Sequence, residues 1–322
     1  MKTSVKIPGI ELDFPAYNGS GSFEYGEYQW TEMDFKNLPV LVLKTSTIKS
    51  KITPEKRQNL MSTKGTQVFN SIGLQNPPIE GVVAKIKEFE TKYNMPMIAS
   101  ASGDTPEEFA ENVKILSEQN VCAVEINLSC PNVDKGGITY GTDPKLVEEV
   151  VRKIKAATKK PIHVKLTPNV TNIVAIAKAA ERGGADAIIA INTLLGFVCD
   201  PNTGKPVISR GYGGYSGPGI FPVALRVVHQ IYKSVNIPII GVGGITTTQD
   251  LIDMLSAGAT AIQVVSATRE NPGIFKQFKE ELPKRMEEMG VKDVKELIGR
   301  SHKFELEDLF PGSYTNTVGG DE

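Results

Sequence analysis

Residues 124 to 133 read Val-Glu-Ile-Asn-Leu-Ser-Cys-Pro-Asn-Val. An apolar, β-branched run stops abruptly at Asn127, and Ser129, Cys130, Pro131 and Asn132 follow. That is the pattern of a buried strand handing polar and reactive groups to a loop at its C-terminal end. The pattern recurs outward in both directions. Short apolar runs occupy residues 14–18, 40–44 and 97–101 before it, and 162–166, 187–192, 238–242 and 261–265 after it. With 123–128 itself, the expectation is eight strands. Between them, apolar residues spaced by three and four predict helices over 106–119, 144–158, 170–182, 222–235 and 248–256. Thr105-Pro106 and Asp143-Pro144 each set a capping side chain before a proline at the first helical position. Eight strands alternating with helices in a chain of 322 residues favour a (β/α)8 TIM barrel. A doubly wound sheet shares the alternation, since strand order is not written in it.

The whole chain, 1–322, reads as a single barrel domain. Two connections, 45–79 and 193–219, are longer than the two to six or so residues usual in such folds. In a barrel, insertions after a strand lie at the C-terminal face, so both are expected to build the active site or its lid. After the last strand, 272–289 and 291–298 read as helices and 315–322 as a loose tail. Lys plus Arg at 36 against Asp plus Glu at 37 leave a net charge of −1, and nothing in that balance suggests a nucleic-acid or membrane surface. The N-terminus lacks a signal-peptide h-region and no later run approaches a spanning helix, so a cytoplasmic protein is expected. Cys122, Cys130 and Cys199 are odd in number and lack Cys-x-x-Cys spacing, which argues against a disulfide framework and against a metal or iron–sulfur site in this chain.

The C-terminal strand ends are Asn18-Gly19-Ser20, Lys44-Thr45, Ser100, Asn127, Lys165, Asn192-Thr193, Gly243-Gly244 and Ser266. In a barrel they face one mouth. Lysines and asparagines without a carboxylate cluster suit a planar, anionic, heteroatom-rich ligand better than a metal. Gly241-Val-Gly-Gly-Ile-Thr-Thr leads into a helix at Thr248, and Val265-Ser266-Ala267 follows the next strand. Backbone amides and a helix N-terminus can there converge on a phosphate. Lys44 and Lys165 each end an apolar strand, where a solvated charge is rare. Cys130 is open to two readings, a small buried residue or a thiol activated as base or nucleophile by nearby positive charge. Cys122 and Cys199 read as inert. His163 shares a strand face with Lys165 and reads as a core histidine, and His229 and His302 as structural or exposed. Phe23, Tyr25, Tyr28 and Trp30 read as packing.

With these residues in view, the chain resembles the class 1 dihydroorotate dehydrogenases. Asn-Leu-Ser-Cys-Pro-Asn-Val at 127–133 is similar to that family's catalytic-loop signature. Further matches are Gly-Ser-Gly-Ser-Phe at 19–23, Lys44-Thr45-Ser46-Thr47, Asn-Ser-Ile-Gly-Leu-Gln-Asn at 70–76, Val-Lys-Leu-Thr-Pro-Asn-Val at 164–170, Ile191-Asn192-Thr193 and Gly-Gly-Tyr-Ser-Gly-Pro at 213–218. The resemblance implies an FMN-dependent oxidation of dihydroorotate to orotate in pyrimidine synthesis. By that likeness Cys130 is the base at C5 while hydride leaves C6 for flavin N5. Substrate would be held by Lys44, Asn70, Gly73, Leu74, Asn127, Asn132, Asn192 and Thr193. FMN would contact Gly19, Ser20, Lys44, Thr45, Ser100, Asn127, Lys165, Ile191, Gly217, Gly243, Gly244, Val265 and Ser266.

Residues 133–144 look like the 1B subgroup rather than the fumarate-using 1A subgroup. That implies a homodimer and a second, electron-transfer subunit carrying FAD and a [2Fe-2S] cluster, for which this chain lacks the cysteines. Thr53-Pro-Glu-Lys-Arg57 departs from the family's Gly-Asn-Pro-x-Pro-Arg, and Val265-Ser266 from its usual Gly-Thr. The residues alone also fit a relative acting on another dihydropyrimidine, a flavin-free aldolase or isomerase using Lys165 as a Schiff base, and a non-catalytic phosphate-ligand barrel.

Overall fold

The computed structural model describes residues 1–25, 37–51, 60–64, 67–129, 131–132, 138–208 and 211–304. The chain opens with a hairpin of β1 (Val5–Ile7) and β2 (Ile10–Leu12), then runs through β3 (Ala16–Asn18), β4 (Leu41–Ser46), β5 (Leu60–Lys64) and β6 (Gln67–Asn70). Helix α1 (Ile79–Tyr93), β7 (Met97–Ala101), α2 (Pro106–Ser117) and β8 (Ala123–Asn127) follow. Two short strands, β9 (Pro131–Asn132) and β10 (Ile138–Thr139), precede α3 (Pro144–Ala156), β11 (Ile162–Lys165), α4 (Ile173–Gly183) and β12 (Ala187–Ala190). The remainder is β13 (Leu194–Phe197), β14 (Tyr212–Ser216), α5 (Phe221–Tyr232), β15 (Ile239–Val242), α6 (Thr248–Ala257), β16 (Ala261–Val264), α7 (Ala267–Glu270) and α8 (Ile274–Glu288).

Eight parallel strands form one sheet in the order β3-β16-β15-β12-β11-β8-β7-β4, the ring order of a (β/α)8 barrel. All eight runs expected from sequence are its strands. They are short and buried on both faces, because helices cover the outside and side chains fill the inside. Helices α2 and α3 start where their caps dictate. Thr105 accepts from the Glu108 amide and Asp143 from those of Lys145 and Leu146, while Val147, Val150, Val151 and Ile154 turn the apolar stripe of α3 inward.

The two ends of the sheet, β3 and β4, meet through a side chain. The Asn18 amide donates to the Val42 carbonyl and accepts from the Val42 N–H, both at 2.9 Å, so it stands in for a peptide group. On β4 the register against β7 slips between Val42 and Thr45. Consecutive strand residues normally face opposite ways, and the extra residue of such a bulge lets both Lys44 and Thr45 reach the mouth of the barrel.

The two long connections do more than lengthen loops. Residues from 45–79 and from 193–219 pair into one four-stranded antiparallel sheet, β13-β14-β6-β5, with Asn70 opposite Gly214 and Val68 opposite Ser216. This sheet was not expected from the sequence. The segment 291–298, expected as a helix, contributes only a 3-10 turn, Val294–Leu297, held by a capping box between Asp293 and Glu296. The expected loose tail, 315–322, lies outside the described residues. No described helix is long and apolar enough to cross a membrane.

At the opposite end of the barrel, His163 is fully buried and its Nε2 donates to the Pro8 carbonyl of the β1–β2 hairpin at 2.9 Å. Among the described residues Nδ1 has no hydrogen-bond partner. Burial therefore pushes this imidazole below the usual histidine range, against the opposing pull of the Pro8 carbonyl, Glu125 and Asp186. A depressed folded-state value means the unfolded chain takes up the proton first as pH falls. His163 thus contributes stability that is present above about pH 6.5 and is lost as pH drops toward its folded value. Thermal unfolding from neutral pH into the mildly acidic range is expected to show a falling midpoint, and His163→Gln a shallower fall. Identical slopes would remove this histidine from the acid response.

Candidate active site

A cavity of about 400 Å³ opens at the C-terminal mouth of the barrel. Strand ends supply Ser20, Lys44, Thr45, Asn127, Lys165, Ile191, Asn192, Thr193, Gly243, Gly244, Val265 and Ser266; the long connections add Asn70, Gly73, Leu74 and Ser216. The polar groups fall into three clusters with different chemistry.

The first is an amide cluster. Asn127 Oδ1 accepts from Ser129 Oγ at 2.6 Å and from Asn192 Nδ2 at 3.3 Å, and Asn192 Nδ2 also reaches Ser129 Oγ. Asn192 Oδ1 in turn accepts from the Thr193 amide. Side-chain amides fixed in this way present donors and acceptors in set directions, as the edge of a planar heterocycle requires.

The second cluster is cationic and lies on the floor. Lys165 Nζ is 3.6 Å from Glu125 Oε1, with side-chain exposures of 8% and 0%. Gln263 Nε2 donates to the other carboxylate oxygen at 3.0 Å. Tyr17 is buried alongside, and burial reinforced by the Glu125 charge pushes its phenol far above the usual range, so it stays neutral. Lys44 Nζ, nearer the rim, is 3.5 Å from Glu24 Oε1. Behind it a hydroxyl chain runs from Ser20 through Thr45 to Ser100, with spacings of 2.9 and 2.8 Å.

The third cluster suits an anion. Gly243 and Gly244 adopt φ values of +129° and +74°, and a Cβ on Gly244 would lie 2.6 Å from the Phe221 nitrogen and 2.9 Å from the Gly217 oxygen. Only glycine fits that crossing. Ser266 and, one turn later, Arg269 complete this end of the cavity. The start of α6 is not among the residues that line the cavity. Asp250 Oδ2 accepts from the amides of Thr246 and Thr247, and Thr247 caps the Asp250 amide in return, so three of the amides at this terminus are already engaged. Backbone donors for an anion are left to the glycine turn and the Ser266 side.

A family model for dihydroorotate dehydrogenase matches residues 2–286. The chain belongs to the dihydroorotate dehydrogenase family. It is 39% identical to the catalytic subunit of dihydroorotate dehydrogenase B (NAD(+)) of Exiguobacterium sibiricum, over 94% of this chain and 97% of that one. It is 40% identical to the protein of the same name in Malacoplasma penetrans, over 94% and 98%. It is also 42% identical to dihydroorotate dehydrogenase A (fumarate) of Lactobacillus helveticus, over 93% and 98%. Relatives named for two different electron acceptors thus stand at nearly equal identity.

Most residues expected from the family resemblance line the cavity, and a few do not. Ser100 sits behind Thr45, which it hydrogen-bonds. Gly19 is pressed against β16, where a Cβ would meet Val265 Cγ2 at 2.6 Å. Gly217 supports Gly244 from behind. Of Asn132 only the backbone is described, paired with Ile138, and Cys130 lies outside the described residues. Sequence reasoning missed Glu24, Glu125, Ser216, Gln263 and Arg269. Glu125 and Gln263 carried a readable signal, since each interrupts an apolar strand in Ala-Val-Glu-Ile-Asn and Ala-Ile-Gln-Val, as the two lysines do.

Proposed function

We propose that this member of the dihydroorotate dehydrogenase family oxidises dihydroorotate to orotate with FMN as cofactor, within pyrimidine biosynthesis. The observation that carries this reading is the grouping in one cavity of an anion-suited end, a buried lysine paired with a carboxylate, and a fixed asparagine cluster. The residues present fit the cofactor. Gly243, Gly244, Ser266 and Arg269 would take the phosphate, and Ser20, Thr45, Asn127 and Lys165 the ring system, with Gly19, Ser100, Ile191, Gly217 and Val265 shaping the walls. FMN, when bound, supplies the hydride acceptor for C6 of the substrate.

The chain's own groups do the rest. Asn70, Asn127, Asn132, Asn192 and Thr193, with backbone from Gly73 and Leu74, orient the pyrimidine edge, and Lys44 meets its carboxylate. Cys130 takes the C5 proton, which is only weakly acidic and needs a positioned base in a site shielded from water. Lys165 would set its positive charge beside the flavin ring, and the Glu125 carboxylate holds that ammonium in place. The whole chain acts as one barrel domain, with 45–79 and 193–219 as the active-site insertions. A homodimer in the cytoplasm and an electron-transfer subunit with FAD and a [2Fe-2S] cluster complete the proposal. Exposed Leu195, Phe197 and Tyr212 on β13 and β14 supply apolar surface for such contacts.

The test is the protein as purified. Flavin absorbance, released as FMN on denaturation and bleached anaerobically by dihydroorotate, is the expected result. Colourless protein that takes up no FMN, or bound flavin bleached only by another dihydropyrimidine, would replace this reading. Reoxidation by fumarate or by NAD with a candidate partner then assigns the acceptor.

A further inference from the structure

Glu24 has a positive φ, +48°, a value that among the described non-glycine residues is shared only by Asn94. Asn94 caps the C-terminus of α1, where a left-handed residue is ordinary and asparagine tolerates it. Glutamate has no such local excuse, and the conformation is strained for it. Strain of this kind persists where surrounding contacts over-determine it, and it clusters at ligand sites. Among the described residues, Lys44 holds Glu24 through two contacts. The Lys44 N–H donates to the Glu24 carbonyl at 2.7 Å, and the Glu24 carboxylate sits 3.5 Å from Lys44 Nζ at the wall of the cavity.

The two side chains are unequally free. Lys44 is 11% exposed and fixed inside, whereas Glu24 is 48% exposed and reaches in from the rim. The carboxylate can swing to water; the ammonium cannot follow. A substrate that brings its own carboxylate to Lys44 meets a site already holding one, and two anions on one partly buried cation repel each other.

We infer that Glu24 is a built-in competitor for the substrate carboxylate, seated on Lys44 until an anionic pyrimidine displaces it. This rests on the dehydrogenase reading above, in which Lys44 meets that carboxylate. A half-exposed ion pair is worth up to about 1 kcal/mol, so the competition weakens binding by about fivefold and sets a threshold that only a ligand with further contacts overcomes. A neutral pyrimidine gains nothing from removal of the competitor, because it leaves the ion pair intact. Glu24 therefore tunes the preference between acidic and neutral pyrimidines, acting through Lys44.

The experiment is calorimetric titration of the FMN-loaded wild type and Glu24→Gln with orotate and with its methyl ester. The expected result is about fivefold tighter orotate binding by the variant and unchanged binding of the ester. Equal affinities of the two proteins for orotate, or a parallel shift for both ligands, overturns the inference while leaving the dehydrogenase reading intact. Failure of orotate to bind either protein overturns that reading and the inference with it. Glu24→Gly adds an independent check on the strain, and a raised unfolding midpoint is expected of it.

Discussion

Alanine in place of Cys130 is expected to slow the oxidation of dihydroorotate by about 10²–10⁴-fold while FMN stays bound, the range lost when a general base is removed. The residues proposed to hold the cofactor lie on other strands or earlier on β8, so the pocket survives the change. The chain on either side of Cys130 is also tied down independently of the thiol. Ser129 is fixed by Asn127 and Asn192, and β9 pairs with β10. Rapid-mixing measurement of flavin bleaching, with flavin content read from absorbance, separates the two effects. Near wild-type bleaching at several pH values would take the base assignment away from Cys130; loss of flavin would make its role structural.

The second large effect concerns stability. Glu125→Ala removes the carboxylate that faces both Lys165 and Gln263, and leaves a buried ammonium without a counter-charge. Breaking one side of a buried pair costs about 3–5 kcal/mol, because the surviving charge stays desolvated. For a chain of this length that lowers the unfolding midpoint by on the order of 5–10 °C. The decisive comparison is a cycle of Glu125→Gln, Lys165→Met and the double variant, followed by thermal unfolding. The double variant is expected to be less destabilised than the sum of the singles, since it removes both charges together. Simple additivity would mean that the two groups do not depend on each other.

The barrel was legible because its strands are apolar runs with polar ends, a pattern that burial on both faces imposes directly on sequence. The strand-end residues were legible for the same reason, and most of them meet in one cavity. Glu125 and Gln263 were missed because attention to strand ends passes over polar residues one layer deeper. The sheet built from the two long connections was not legible, because it pairs segments more than a hundred residues apart whose partners no local pattern names. The helix start at Thr248 was read as an anion site without its own cap being read. A threonine three residues before an aspartate at a helix start is a capping signal, and a helix closed by its own cap has fewer amides to offer an anion. Glu24 could not be read at all, since its interest lies in a backbone angle.

The Asn18 amide has a consequence of another kind. The seven junctions between neighbours in the strand order are backbone ladders, which almost any side chain leaves intact. At the eighth, between β3 and β4, the ladder's place is taken by the side chain of one residue. The hydrogen bonds of ring closure are therefore set at a single codon. The same codon sets the alignment of the Gly19–Ser22 turn with the strand that carries Lys44, so drift there would change the shape of the reaction chamber and the integrity of the barrel in one step.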